Sequence, residues 1–388
     1  MTITVPPIIS VDDHLVEPAD LWTSRLPAKY HDACPHVIYA PQDETPILDG
    51  AMYLEKPGTG DGPPVAWWIY EEYHYSIKRL IAAAGFPPEE VELKGVTYED
   101  MRKGCWDRDA RLADMSVNHV EASLCFPNYP RFAGQIFLRA KDKTVSELCV
   151  KAYNDFMVEE WSAGSGGRMI PLCIVPLWDV ELAAAEVRRN AARGVHAVAF
   201  SEVPYHLGLP SIHSGFWDPF FRACEETNTV LCMHIGSGTV TPKASPESPD
   251  AVAATIIFGN SIFSMVDWMY SGVLHRFPDL KLLYAEAQIG WIPYVLERSD
   301  DVWETHRGWS HSKQYCPAPP STYYPGRVHS CFFKDAIGVR MLDEVGLDNV
   351  MFETDYPHQD STWPRSRQAA AEQFGHLPQA QIDQIARG

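Results

Sequence analysis

The feature that most constrains this 388-residue chain is an alternation of short apolar, β-branched runs with helix-like stretches. Such alternation is typical of a parallel sheet covered by helices. Strands are predicted at 8–11, 122–126, 169–177, 197–200, 230–235, 281–285, 330–333 and 350–353. Eight such units predict an α/β fold, a single (β/α)₈ TIM barrel over residues 1–388. A doubly wound sheet is the rival, but no G-x-G-x-x-G follows the first run.

A long insertion separates the first predicted strand from the second, at about 29–104. It is rich in proline, glycine and aromatic residues, and a connection of this length is more often a functional lid than a bare loop. We predict a lid with short helices near 70–84 and 97–102. Further helices are predicted at 146–161 and in ELAAAEVRRNAARG, where Gly194 is typical of a C-cap.

The net charge, the apolar runs and the cysteines indicate which partners and which compartment to expect. The formal net charge of −19 argues against nucleic acid and against an anionic membrane surface. No uninterrupted apolar run reaches the roughly 18 residues of a membrane span, and the N-terminus lacks a signal-peptide pattern. Nine scattered cysteines without a C-x-x-C pair suit reduced thiols. We therefore expect a cytoplasmic protein without membrane contact.

Metal-ligand residue types close most of the predicted strands. In a barrel of this kind the chemistry lies at the carboxyl ends of the strands. Asp12 and His14 are two apart, which places both side chains on one face of a strand. Each residue also has an ordinary explanation as a turn former, strand cap or surface carboxylate. Together they predict a metal site made by Asp12, His14, Glu202, His234, Glu286 and Asp355.

Two nearby residues extend this set. Glu17 is an additional candidate ligand, three residues after His14. His358 follows Asp355 by three residues and has three alternative roles: a ligand, a proton shuttle, or a partner that orients Asp355.

Four stretches give the chain a resemblance to a known superfamily: VDDHLVEP, LCMHIGSG, HRFPDLKLLYAEAQIGWIPYVLERSD and NVMFETDYPHQDSTWP. They resemble the amidohydrolase superfamily, particularly its amidohydrolase-2 branch, which includes aromatic-acid decarboxylases. The resemblance implies metal ligation by Asp12, His14, His234 and Asp355. It also implies that Glu202 bridges the ions where two are bound.

The chain departs from the pattern of this superfamily at two positions. Asp12 replaces the first histidine of the usual His-x-His, and Glu286 stands where a histidine is often found. Imidazole-rich sites suit Zn²⁺, whereas hard oxygen donors suit iron or manganese. A small group of similar barrels acts as non-heme diiron monooxygenases, and the carboxylate-rich set favours that group. Two metal ions are expected, with iron favoured over zinc or manganese.

Three functional hypotheses follow. The first is a diiron monooxygenase that uses O₂ and an external electron donor to hydroxylate a bulky hydrophobic acid or its CoA thioester. The second is a Zn²⁺- or Mn²⁺-dependent hydrolase or decarboxylase of a carboxylic acid, with Asp355 or His358 handling protons. The third is a non-catalytic binding barrel. Both enzymatic hypotheses require a small-molecule substrate, and the insertion and the proline-rich stretch 317–325 are candidate faces for a homodimer.

Overall fold

A computed structural model describes residues 4–43 and 55–388. Its central element is a set of parallel strands that follow one another in chain order. The strands are β1 (Ile8–Leu15), β2 (Val120–Pro127), β3 (Met169–Ile170), β4 (Ala197–Phe200), β5 (Val230–His234), β6 (Leu282–Ala285), β7 (Val328–Phe332) and β8 (Val350–Phe352).

Two seams join these strands into a ring. Strands β1 to β3 form one sheet and β4 to β8 form another. At the first seam Cys173, just after β3, pairs in parallel with Val198 of β4. At the second seam the backbone N–H of Asp355 donates to the Asp12 carbonyl at 3.0 Å, and that of His14 donates to the Tyr356 carbonyl at 2.6 Å. The predicted α/β barrel fold is confirmed.

Helices cover the outside of the barrel, and aromatic side chains fill the space between. Strands β4 and β6 are buried along their whole length, as expected where both faces are covered. The Phe200 ring of β4 packs against Trp217 at 5.0 Å and Phe220 at 5.1 Å between ring centroids. The nine cysteines are all buried and unpaired.

Most of the α-helices begin at a carboxylate or a proline turn. Asp107, Asp142 and Asp179 cap three of them by accepting backbone N–H groups of the first turn. The predicted helix at 146–161 begins at Lys143 and continues as a π-helical turn, Met157–Ser162. The α-helices are Arg108–Val117, Gln135–Arg139, Lys143–Phe156, Val180–Ala191, Asp218–Glu226, Asp250–Ile256, Gly259–Tyr270, Val273–Arg276, Ile292–Thr305, Arg307–Ser310, Ser312–Tyr315, Ala336–Arg340, Leu342–Val345, Ser366–Phe374 and Gln379–Arg387.

The insertion after β1 contains an antiparallel sheet of three strands, His36–Pro41, Pro64–Tyr70 and Tyr73–Ser76. The predicted helix at 70–84 is therefore wrong, since only Arg79–Ala82 forms a short 3₁₀ turn there. Aromatic residues favour a pleated strand when both faces are packed.

The insertion is fastened to the barrel by aromatic contacts. The Trp68 ring lies 5.1 Å from that of Trp22 and 4.8 Å from that of Tyr129, centroid to centroid. Within the described part of the insertion, 97–102 forms no helix, and a 3₁₀ turn follows at Lys103–Cys105. Residues 44–54 of the predicted lid lie outside the described residues.

One segment bears on the expectation that no apolar run is long enough to span a membrane. Asp250–Tyr270 has the length and hydropathy, 1.4, of a membrane-spanning helix by composition alone. It consists of two helices, Asp250–Ile256 and Gly259–Tyr270. Met265 and Trp268 of the second helix are buried in the barrel's outer core. Core helices of globular proteins also reach such a hydropathy.

We predict that Trp217→Ala lowers the free energy of unfolding by about 3–5 kcal/mol, because it leaves a cavity beside Phe200. Trp217 is fully buried, whereas Trp309 is 71% exposed and serves as the matched control. Trp309→Ala is expected to change the free energy by no more than about 0.5 kcal/mol. Urea titration followed by circular dichroism measures both, and equal midpoints for the two variants would contradict this packing account.

Candidate metal centre

The centre lies at the carboxyl ends of the barrel strands. Asp12 and His14 belong to β1, and His234 is the last residue of β5. Glu286 directly follows β6, and Asp355 lies three residues beyond β8. Because parallel strands end on one rim, the barrel brings these five side chains to one place.

Distances between the side chains show how closely they converge. The Nε2 atom of His234 lies 3.1 Å from Nε2 of His14 and 3.6 Å from Oδ2 of Asp12. It also lies 3.3 Å from Oε2 of Glu286. The Nε2 atom of His14 lies 3.5 Å from Oδ1 of Asp12 and 3.3 Å from Oδ1 of Asp355. Potential ligand atoms of Asp12, His14 and His234 all lie within 4.8 Å of one another.

The carboxylates of this cluster lack the hydrogen bonds that buried oxygens normally have. Both oxygens of Asp12 and both of Asp355 are buried and accept no hydrogen bond from the described residues. Burial raises the pKa of Asp12 well above its usual value, and the charges of Glu353 and Asp355 raise it further. Burying unpaired carboxylates is costly unless a proton or cation compensates them. The donor set therefore fits a metal ion.

The histidines are in the form that binds metal. Burial lowers the pKa of His234 to about 3 and that of His14 well below its usual value. Both rings are therefore neutral at pH 7. Nδ1 of His234 lies 2.7 Å from the Ile235 carbonyl and donates its hydrogen there. The lone pair is thus on Nε2, which points into the cluster. The Phe132 ring stacks on this imidazole with ring centroids 3.9 Å apart.

Glu202, a further predicted ligand, is hydrogen-bonded to two serines of the protein. Its Oε1 accepts a hydrogen bond from Ser261 at 2.5 Å, and its backbone N–H donates to Ser237 at 2.9 Å. Burial raises the pKa of Glu202 to about 8. Over residues 4–43 and 55–388, it joins no group of ligand atoms lying within 4.8 Å of one another. Its bridging role stays a prediction.

His358 packs against His14. The two imidazole rings stack with centroids 3.6 Å apart and an interplanar angle of 13°. Nδ1 of His358 lies 3.4 Å from Oδ1 of Asp355, and Nε2 lies 2.9 Å from Oδ1 of Asn128. His14, Asp355 and His358 form a second group of potential ligand atoms within 4.8 Å of one another.

Sequence reasoning missed a third group of buried ligand types, Asp12, Cys331 and Glu353. The Cys331 thiol donates to Oε2 of Glu353 at 2.6 Å, and the backbone N–H of Glu286 donates to the same oxygen at 3.1 Å. Glu353 precedes Asp355 by two residues, the spacing that singled out Asp12 and His14. The same two-residue spacing was therefore present after the eighth strand, but it was used to predict ligands only on the first strand.

A cavity of about 640 Å³ opens onto the centre. Its floor includes His234, Glu286, Asp355 and His358. The insertion contributes to the wall, and so does the segment at 250–258. The side chains that give the wall its apolar character include Leu80, Ile81, Phe132, Ile257 and Phe258, and the cations at the wall are Arg131, Lys243 and Lys334. The wall also carries the carboxylates of Asp250 and Asp360. Such a cavity fits a small organic molecule.

The chain is similar to characterised decarboxylases in sequence. It is 22% identical over 319 residues to a gamma-resorcylate decarboxylase from Polaromonas sp. (strain JS666 / ATCC BAA-500), covering 75% of this chain and 87% of that protein. It is 23% identical over 329 residues to a gamma-resorcylate decarboxylase from Rhodococcus jostii (strain RHA1), covering 74% and 88%.

Solved structures share the fold. An amidohydrolase from Mycobacterium avium subsp. paratuberculosis K-10 superposes with a TM-score of 0.73 at 19% identity, over 98% of this chain and 97% of that one. A dihydroxybenzoic acid decarboxylase from Polaromonas sp. JS666, with bound manganese and 2-nitroresorcinol, has a TM-score of 0.61 at 18% identity, over 79% and 90%. A 5-carboxyvanillate decarboxylase from Novosphingobium aromaticivorans DSM 12444, also with manganese, has 0.60 at 17%, over 74% and 80%.

These comparisons overturn the predicted oxidoreductase. The curated relatives are decarboxylases, and manganese is the ion bound in two of the similar structures. The prediction of a diiron monooxygenase is wrong, and with it the two irons, O₂, the external electron donor and the CoA thioester lose their support. The prediction of iron failed because it was inferred from carboxylate ligands, and such ligands also suit manganese.

The family itself is shown by the sequence profile of the amidohydrolases, which matches residues 35–388. This match contains His234, Glu286 and Asp355, and the remaining two residues of the cluster lie on the strand directly before it. The chain belongs to the amidohydrolase family, in its amidohydrolase-2 branch.

Proposed function

We propose that this protein is a metal-dependent decarboxylase of a small carboxylic acid, with Mn²⁺ as the preferred ion. The observation that carries the proposal is the buried cluster of Asp12, His14, His234 and Asp355, which lacks compensation for its carboxylates and opens onto the cavity. The activities of the sequence relatives support the same reaction class.

The donor set determines what the ion would supply. Two imidazoles with several carboxylates form a hard, oxygen-rich site, which suits Mn²⁺ better than a thiolate- or imidazole-seeking ion. Asp12, His14, His234 and Asp355 would hold the ion, with Glu286 beside it. When bound, it supplies a positive charge that attracts a substrate carboxylate and stabilises negative charge during the reaction.

Decarboxylation requires a proton donor but no oxidant. The bond between the substrate carbon and its carboxylate breaks, CO₂ leaves, and a proton takes its place on carbon. Asp355 is placed to hold that proton, since its carboxyl group lines the cavity and lies beside the ring of His358. Its oxygens face the cavity without hydrogen bonds from the described residues. Asp355 would deliver the proton, and His358, whose Nδ1 lies 3.4 Å from Oδ1 of Asp355, would orient that carboxyl group.

The cavity favours an anion with an apolar body. Phe132 and Phe258 contribute flat apolar surfaces, and Arg131 places a positive charge close enough to His234 to lower the pKa of that imidazole. A substrate whose carboxylate points at the metal centre and whose ring packs against Phe132 and Phe258 would satisfy both features. A homodimer and a cytoplasmic location stay predictions from the sequence.

We predict that chelation abolishes turnover and that Mn²⁺ restores it. Purified protein is treated with EDTA, reloaded with Mn²⁺ and assayed anaerobically for CO₂ release from 2,6-dihydroxybenzoate and 5-carboxyvanillate, the acids suggested by the relatives. Release should occur without O₂ because the reaction is redox-neutral. Turnover of these or other acids that needs O₂, or that survives chelation, would contradict the proposal.

We predict that Asp355→Asn lowers kcat by about 10²–10⁴-fold, because an amide cannot act as the acid. Asp250→Asn is the matched control, since Asp250 lines the same cavity and belongs to none of the ligand groups found among the described residues. The control should retain kcat within a few-fold. The manganese content of each variant is measured alongside, and equal losses in the two variants would refute the assignment.

A further inference from the structure

Asn128 lies directly after β2, where the strand meets the metal centre. Its side chain is buried, and it lines the cavity together with His358. Sequence reasoning gave it no role, because an amide is neither a strong metal ligand nor an acid or base. Its hydrogen bonds nevertheless connect three candidate functional elements: the end of β1, the residue Glu17 and the ring of His358.

The orientation of the Asn128 amide is determined by its neighbours. Its Nδ2 donates to the Leu15 carbonyl at 2.7 Å. A backbone carbonyl can only accept, so the amide nitrogen must be on that side and Oδ1 must face His358. Oδ1 lies 2.9 Å from Nε2 of His358 and can also only accept. Nε2 of His358 therefore carries a hydrogen.

This hydrogen bond determines the state of the other ring nitrogen. An imidazole whose single N–H is on Nε2 has a lone pair on Nδ1. Nδ1 lies 3.4 Å from Oδ1 of Asp355, and stacking on His14 fixes the plane of the ring.

Glu17 holds Asn128 in place rather than pointing its carboxylate at the centre. One oxygen of Glu17 accepts the backbone N–H of Asn128 and the other accepts that of Tyr129, each at 2.9 Å. The Tyr98 hydroxyl, from the insertion, donates to the backbone carbonyl of Glu17 at 2.6 Å. Both carboxylate oxygens are thus engaged with the backbone that carries Asn128.

We propose that Asn128 is a positioning residue that fixes His358 in its Nε2–H tautomer. Nδ1 is then the ring nitrogen presented to Asp355, as an acceptor for a proton or a metal ion, and Glu17 keeps Asn128 in register. The inference deepens the proposed function and rests on it only for the effect on turnover. The tautomer itself is a property of the folded protein.

The direct test is nuclear magnetic resonance of protein labelled with ¹⁵N-histidine and loaded with diamagnetic Zn²⁺. The signals of His358 are assigned by their loss in His358→Gln. We expect a protonated Nε2 and an unprotonated Nδ1 in the wild type. Asn128→Leu removes the acceptor at similar volume and should produce a population with hydrogen on Nδ1. A wild-type ring protonated on Nδ1, or an unchanged tautomer in Asn128→Leu, would overturn the proposal.

Asn128→Asp is the matched control, because it keeps an oxygen acceptor toward Nε2 and should retain the Nε2–H tautomer. In activity assays Asn128→Leu should lower kcat about 10–100-fold, the range for residues that orient a ligating histidine, with KM changed by only a few-fold. Asn128→Asp should recover most of that loss.

If the Asn128→Leu protein does not fold, the Glu17→Gln variant takes its place in the test. It removes one of the two backbone hydrogen bonds and should shift the tautomer in the same direction to a smaller extent. An unshifted tautomer in that variant contradicts the role of Glu17. Should the protein decarboxylate nothing, the tautomer measurements still decide the inference, so the two failures are distinguishable.

Discussion

The metal centre depends on the seam where the first and last strands of the barrel meet. Asp13 forms this seam, since its side chain points away from those of Asp12 and His14 and accepts hydrogen bonds from the opposite segment. Its Oδ1 accepts from the Thr354 hydroxyl at 2.6 Å and from the Tyr356 backbone N–H at 2.9 Å, and its Oδ2 accepts from Ser123. Together with the backbone hydrogen bonds of the seam, these bonds hold β1 and its ligands beside Asp355.

A buried arginine supports the seam from outside. Arg111 donates to the backbone carbonyls of His14 at 2.5 Å and Gly104 at 2.7 Å. Burial raises the pKa of Asp13, and the charge of Arg111 and three hydrogen bonds oppose that rise. Asp13 is thus stabilised by the protein, whereas Asp12 and Asp355 are left to be compensated by a ligand. This contrast between adjacent carboxylates is what separates structural from functional acids here.

The sequence predicted the barrel because the buried strands are near-continuous apolar runs. Its errors have local causes. The run at 169–177 forms a regular strand only at Met169–Ile170, followed by an isolated bridge at Cys173, since Pro171 and Pro176 cannot donate backbone hydrogen bonds. In the insertion, 70–84 was predicted as a helix, but its residues Tyr73–Ser76 form a strand that pairs with the strand carrying Trp68. The structure brings Asp12, His14, His234, Glu286 and Asp355 to one rim, because strand ends alone determine that placement.

The chemistry was harder to predict than the geometry, since the same ligand types serve oxidation and decarboxylation. The most direct test of the central claim is anomalous X-ray diffraction from crystals grown with Mn²⁺. We predict a single strong manganese peak between Asp12, His14, His234 and Asp355, at about 2.0–2.3 Å from their ligand atoms. A peak elsewhere, or none at this cluster at saturating Mn²⁺, would contradict the account.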